Sequence, residues 1–262
     1  MAHAAGTFAS GLVSDPFRPL RERVFDLLEV EPGTVLLDLS PAFGELALAA
    51  ARFSRGRGSA TAAGPVWSAL CEKKREVERT GVGGVLFVGS SPTALPFGRG
   101  VFDSAAYVAD PVFPVDLGTV LDELRRVSRS GAVMVLGTWL RPSPFLRLAE
   151  GLCRRACRKA GRELPGFSGV GSPEELALAL KAAGLRSVEA EAFPFRLVCA
   201  RTGALWHLFL DVTPLGRVLG YGRRQALEEI RFFFEKEARE YVRLAANCLE
   251  IDAPLALARG TN

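Results

Sequence analysis

The sequence predicts an α/β fold: a doubly wound, mostly parallel sheet of seven strands beneath a helical cap. Three observations predict it. Short apolar runs alternate five times with stretches of helical periodicity over residues 15–137. Those runs are nearly continuous in Val, Leu, Ala and Phe, as strands buried on both faces must be. The first of them, Val35-Leu-Leu-Asp38, ends on an acid before a tight turn and a new helix. A parallel strand hands over in that order to a helix whose N-terminal N–H groups face a ligand.

The elements follow in turn. Ser14 and Asp15 before Pro16 give a helix start, and Phe17, Leu20, Val24, Leu27 and Leu28 share its apolar face. Residues 34–39 are the first strand and 45–53 the next helix. A short second strand covers 58–63, and Gly64-Pro65 opens a helix to about residue 79. Residues 85–88 and 101–109 are the third and fourth strands. Asp116 caps a helix carrying Val120, Leu121, Leu124 and Val127 at helical spacing, Ser130-Gly131 stops it, and 132–137 is the fifth strand. Residues 144–161 form a basic helix. Ser172-Pro173 opens another that ends at Gly184, before a strand over 188–192. Residues 202–250 read as a mostly helical insertion, and 254–259 as a closing strand. Residues 1–201 with 251–262 are therefore one domain and 202–250 its cap.

Composition narrows the function. Hydrophobic residues at 48% and charged residues at 24% describe a globular protein with a large core. A net charge of +4 admits an anionic ligand without demanding nucleic acid. The five cysteines are an odd number and widely spread, as expected of reduced thiols. Cys153 and Cys157 share a helical face with no His nearby, so two buried small residues are expected there and no metal. Met1 to Phe8 lacks the basic-then-apolar order of a signal peptide, and no apolar run is long enough to span a bilayer; the cytoplasm is the expected location.

The turn after the first strand has a nucleotide-binding frame without its glycines. Ser40 and Ala42 hold two of three expected glycine positions and only Gly44 remains. Four segments carry a resemblance: Gly33-Thr-Val-Leu-Leu-Asp38 with Gly44, Ala94-Leu-Pro-Phe-Gly98 with Val101-Phe-Asp103, Leu121-Asp-Glu-Leu-Arg-Arg-Val-Ser-Arg-Ser-Gly131, and the helix from Ser172 to Gly184. In this order the chain resembles the class I S-adenosylmethionine-dependent methyltransferases, in particular the small-molecule branch with the ubiquinone and menaquinone methyltransferases. The resemblance implies a Rossmann-like sheet and S-adenosylmethionine as cofactor.

It also implies a site. Asp38 and Gly44 match the acid and glycine that hold the cofactor's amino-acid part, with Ser40 between them. Gly64 stands where a carboxylate would grip the ribose hydroxyls, and Ser90, followed by Ser91, where an Asp would receive the adenine amine. Two lost charged contacts, at roughly 1.5–3 kcal/mol each, take a micromolar site to millimolar or weaker. Glu45 and Glu72 are acids that could substitute.

The remaining candidates each have a plainer account. Asp110-Pro-Val-Phe113 is similar to the motif by which amino-group methyltransferases hold an amine, and is otherwise a strand-end turn. His207 could serve as a general base, but beside Trp206 it reads better as a partly buried structural histidine. The basic residues Arg154, Arg155, Arg158, Lys159 and Arg162 could meet a phosphate, a carboxylate or RNA; a solvated face is the simpler reading and nucleic acid the lesser expectation. Phe232-Phe-Phe234 with Ile230 could line a lipid or quinone pocket, or pack the cap. Two functions stand: a methyltransferase acting on a small or lipid-like substrate under the cap, or a non-catalytic binding or partner subunit. An exposed apolar patch on the insertion would mark a homodimer or partner surface.

Overall fold

The computed structural model describes residues 16–40, 44–55, 57–65, 67–109, 115–164, 166–167, 169–212, 215, 224–245 and 248–262. The first helix starts later than expected: Phe17 is its N-cap, without a side-chain cap bond, and Pro19 in place of Pro16 lies in its first turn, Ser14 and Asp15 themselves being outside the described residues. Helix α1, Arg18–Leu28, has proline in its first turn and buries Leu20, Val24 and Leu28. Strand β1 is Val35–Leu39, helix α2 Glu45–Ser54, strand β2 Ser59–Gly64, helix α3 Trp67–Thr80, strand β3 Val85–Gly89 and strand β4 Phe102–Val108. Helix α4, Leu117–Val127, starts where the Asp116 carboxylate accepts the Thr119 N–H at 2.8 Å, and it buries the expected stripe of Val120, Leu121, Leu124 and Val127.

Strand β5, Ser128–Trp139, is longer than expected. Ser130-Gly131 does not separate helix from strand, because Ser128 already pairs with Phe102. The register then shifts before Val133 meets Ser104. The polar residues form a bulge, with Gly131 at φ 82°, where glycine's freedom is needed.

Helix α5, Pro144–Ala160, is capped by Ser143, whose hydroxyl accepts the Leu146 N–H, and ends at Gly161 in the left-handed region. Helix α6, Pro173–Ala182, is capped by Ser172. Then come strand β6, Arg186–Phe193, strand β7, Arg196–Cys199, helix α7, Thr202–Val212, helix α8, Arg224–Tyr241, strand β8, Val242–Ala245, strand β9, Cys248–Asp252, and strand β10, Leu255–Thr261.

The seven-stranded sheet runs β3–β2–β1–β4–β5–β10–β6. Neighbours from β3 to β5 are parallel, and β10 is antiparallel to both β5 and β6. Strand order reverses between β1 and β4, which opens the crevice where sheets of this class bind ligands. One apolar layer gathers α1, α2, α3 and α5 on one face, and a second gathers α4 and α6 on the other.

The segment after β6 carries more than helices. β7, β9 and β8 form a separate three-stranded antiparallel sheet. Rings tie helices α7 and α8 to α5 and β5: Trp139 lies 4.9 Å from Phe145, Phe145 5.1 Å from Phe209, Phe209 5.5 Å from Phe234, and Phe234 5.3 Å from Trp206. No helix of the described residues is long and apolar enough to cross a membrane.

Candidate functional site

The site is built on the carboxyl ends of β1, β2, β3 and β4. Asp38 pairs with Ala62 of β2 and Ala106 of β4, so the register places its side chain where the crevice opens. It is only 1% exposed. Its carboxylate accepts the Ser40 N–H at 2.8 Å, the Ser40 hydroxyl at 2.5 Å and, across the turn, the Ala47 N–H at 3.0 Å. Burial pushes the carboxyl above its usual range; the bonds from Ser40 and Ala47 oppose that push, and the Glu45 charge adds to it. Asp38 thus holds the turn and the first turn of α2 together with its own acceptor capacity.

Gly44 has φ 93°, and a Cβ there would lie 2.8 Å from the Ala62 Cβ and 2.9 Å from Phe87 Cε1. In a nucleotide-binding turn the first two glycines shape the turn and let a ligand approach, while the third lets helix and strand pack closely. Gly44 is the packing glycine. The positions lost to Ser40 and Ala42 are the ligand-facing ones; Ala42 itself lies outside the described residues.

Glu45 is engaged as well. Lys73 of α3 bonds both Glu45 and Glu76; burial works to lower the pKa of its ammonium, and the two carboxylates outweigh that and raise it.

At the ends of β2 and β3 the sheet stays regular. Gly64 pairs with Gly89, and the Ser90 N–H donates to the Gly64 carbonyl at 2.9 Å. A Cβ built on Gly64 meets nothing within 4 Å. The Ser90 hydroxyl is buried and has no hydrogen-bond partner. The Ser91 hydroxyl turns into its own loop, 2.7 Å from Thr93 Oγ1.

The loop before β4 is clamped from α4. Glu123 accepts the Leu95 N–H at 2.7 Å, and Arg126 donates to the Phe97 carbonyl at 2.7 Å and the Leu95 carbonyl at 2.9 Å while pairing with Glu123 at 2.6 Å. The Arg126 guanidinium holds the Glu123 carboxyl down to about 2. Trp139 adds an anchor that sequence reasoning missed, its indole N–H donating to the Ala109 carbonyl at 3.0 Å. An aromatic at a strand end was the available signal.

The other candidates do not gather here. Asp110 and Phe113 lie outside the described residues. His207 is exposed, while its helix buries Leu205, Trp206, Leu208 and Phe209. Phe234 and Ile230 are core, Phe232 is exposed, and Phe233 lies under Arg155 at 3.7 Å. The basic helix is partly an internal interface, with Arg155 paired to Glu237 and Lys159 to Glu229 of α8. Arg154 and Arg158 are exposed. Among the described residues no group of three or more His, Cys, Asp or Glu is placed to hold a metal ion.

A reversed strand order closed by an antiparallel strand inserted beside the fifth defines the class I methyltransferase fold, and the chain has it. No family model matches the chain, and no curated protein matches it significantly. Solved structures do. The chain is similar to the YcgJ protein of Bacillus subtilis, at 14% identity over 94% of this chain and 98% of that one, with TM-score 0.63. A candidate methyltransferase of Bacillus halodurans C-125 is 14% identical over 92% and 97%, with TM-score 0.61. The cyclase SpnF is 16% identical over 96% and 86%, with TM-score 0.58. At such identities the likeness is one of fold, and the names show that the fold serves more than one reaction.

Proposed function

We propose that the chain is a non-catalytic member of this fold, a cytoplasmic binding or partner subunit that does not hold S-adenosylmethionine productively. One observation carries the reading: positions 64 and 90 hold no acid, and the acids Asp38 and Glu45 are occupied within the protein, while the Glu72 side chain lies outside the described residues. Position 64 is glycine and position 90 serine, so neither the ribose diol nor the adenine amine meets a carboxylate. Asp38 is taken up by Ser40 and Ala47, and Glu45 by Lys73. The glycine that remains serves packing. The methyltransferase reading keeps the room above Gly64 on its side.

Isothermal titration of the purified protein with S-adenosylmethionine and S-adenosylhomocysteine decides between them. Silence up to millimolar concentration is expected. Micromolar binding of either would overturn the proposal and start a search for the methyl acceptor.

A further inference from the structure

We infer that the outer face of α5 is a docking surface for an anionic bilayer, with Phe232 of α8 as its apolar contact. The inference goes beyond the proposed function and does not depend on what the crevice binds. Helix α5 carries five basic residues and one acid, whereas α3 carries four and three, and α8 four and five. The five divide between two faces. Arg155 and Lys159 turn toward α8 and pair with Glu237 and Glu229. Arg147, Arg154 and Arg158 lie within about 40° of one another around the helix, in a line about 16 Å long. All three are exposed, on the side opposite the buried Ala149, Leu152 and Ala156.

The one acid beside that line is already engaged, since Glu150 pairs with Arg141 at 3.1 Å. No acid meets the three guanidiniums among the described residues. Arg154 and Arg158 are like charges one turn apart, which weakens a helix standing alone and which an anionic surface relieves. The helix dipole accounts for a cation in the last turn, at Arg158, but not for Arg147 or Arg154. Phe232 adjoins this face. Its neighbour Phe233 lies under Arg155, and Phe232 itself is 66% exposed, on the side away from the buried Ile230 and Phe234. A large exposed ring beside unpaired guanidiniums is the composition of a helix face that rests on a charged bilayer, the ring entering among the headgroups. A second copy laid on the same face would set arginine against arginine, which disfavours a dimer there. A nucleic-acid strand stacks successive bases on several rings, and this face exposes one.

Cosedimentation of the full chain with phosphatidylcholine vesicles, with and without about one-third phosphatidylglycerol, tests the inference. Wild type is expected to bind only the anionic vesicles, and less tightly as salt rises. The triple variant Arg147→Gln, Arg154→Gln, Arg158→Gln is expected to bind about a hundredfold more weakly, at about fivefold for each arginine. Phe232→Ser is expected to lose severalfold at every salt concentration. Arg52, Arg55 and Arg57 are also exposed, and changing all three to Gln removes the same charge elsewhere. That control is expected to bind within about threefold of wild type. An unchanged Tm shows that each variant is folded, and Arg154→Gln alone, at about fivefold, serves if the triple variant is not. No binding of wild type to anionic vesicles at low salt would overturn the inference. So would an equal loss in the two triple variants, or an unchanged affinity in Phe232→Ser. Tighter binding of a single-stranded oligouridylate than of anionic vesicles, lost in the α5 variant, would also overturn it and give the face to nucleic acid.

Discussion

Two loops at the crevice are each fastened by one carboxylate, and the two carboxylates work in opposite ways. Asp38 is buried, accepts from a hydroxyl and two amides, and has its pKa raised chiefly by that burial. Glu123 is less enclosed, faces Arg126 and has its pKa depressed to about 2. Neutral donors stabilise a buried charge without matching it, while a guanidinium matches it. Both acids are turned inward to hold the protein's own backbone, which leaves the crevice with little charge to offer a ligand.

The comparison is broken most severely at Asp38. Asp38→Ala leaves the Ser40 N–H, the Ser40 hydroxyl and the buried Ala47 N–H without their acceptor. A loss of about 2–4 kcal/mol is expected, measured by urea unfolding. A loss below about 1 kcal/mol would mean the turn is held by something else.

The next effect is on the acid limb of stability. Glu123 has a folded-state pKa below its unfolded one, so it contributes stability above about pH 4.5 that is lost as pH falls toward about 2. Glu123→Gln is expected to flatten that limb and to cost about 1 kcal/mol at neutral pH. Asp38 has the opposite sign: its folded pKa is raised, so its ionisation weakens the fold as pH rises through that value. Asp38→Asn therefore steepens the net acid loss, where Glu123→Gln reduces it. Equal slopes in the two variants would dissolve the contrast.

The smallest effect is at Ser90. Removing a hydroxyl that bonds nothing in the free protein, Ser90→Ala is expected to leave stability within about 1 kcal/mol of wild type, on the stabilising side. A clear loss in thermal unfolding would mean that the hydroxyl serves the fold and not a ligand.

Much of this was legible in the sequence. The parallel strands announced themselves as apolar runs between capped helices, and Asp116 and Ser172 cap where their side chains predicted. β7, β8 and β9 were not legible. β8 has four residues, none buried, with Leu244 76% exposed, so no alternation of faces records its pairing. At the site, Asp38 stood out as the acid closing β1. Its donor across the turn did not, because the Ala47 N–H belongs to the backbone and any residue would supply it. The pairing of Lys159 and Arg155 with α8 was hidden for a related reason: a basic run in sequence does not say which acids lie opposite.

The cap's attachment has a consequence for how such a chain is assembled and altered. β6 and β10 are hydrogen-bonded neighbours, paired from Leu255 and Phe193 onward, and the Ala253 N–H donates to the Phe195 carbonyl at 2.9 Å as the chain returns. Everything between them leaves and re-enters the sheet through one gate. Topologically the cap is the loop of a β-hairpin grown large, and a tight turn joining Phe193 to Leu255 would close the same hairpin. A shorter connection could therefore keep the β6–β10 pairing, at the cost of the apolar contacts that Phe195, Phe209 and Phe234 make with the main core.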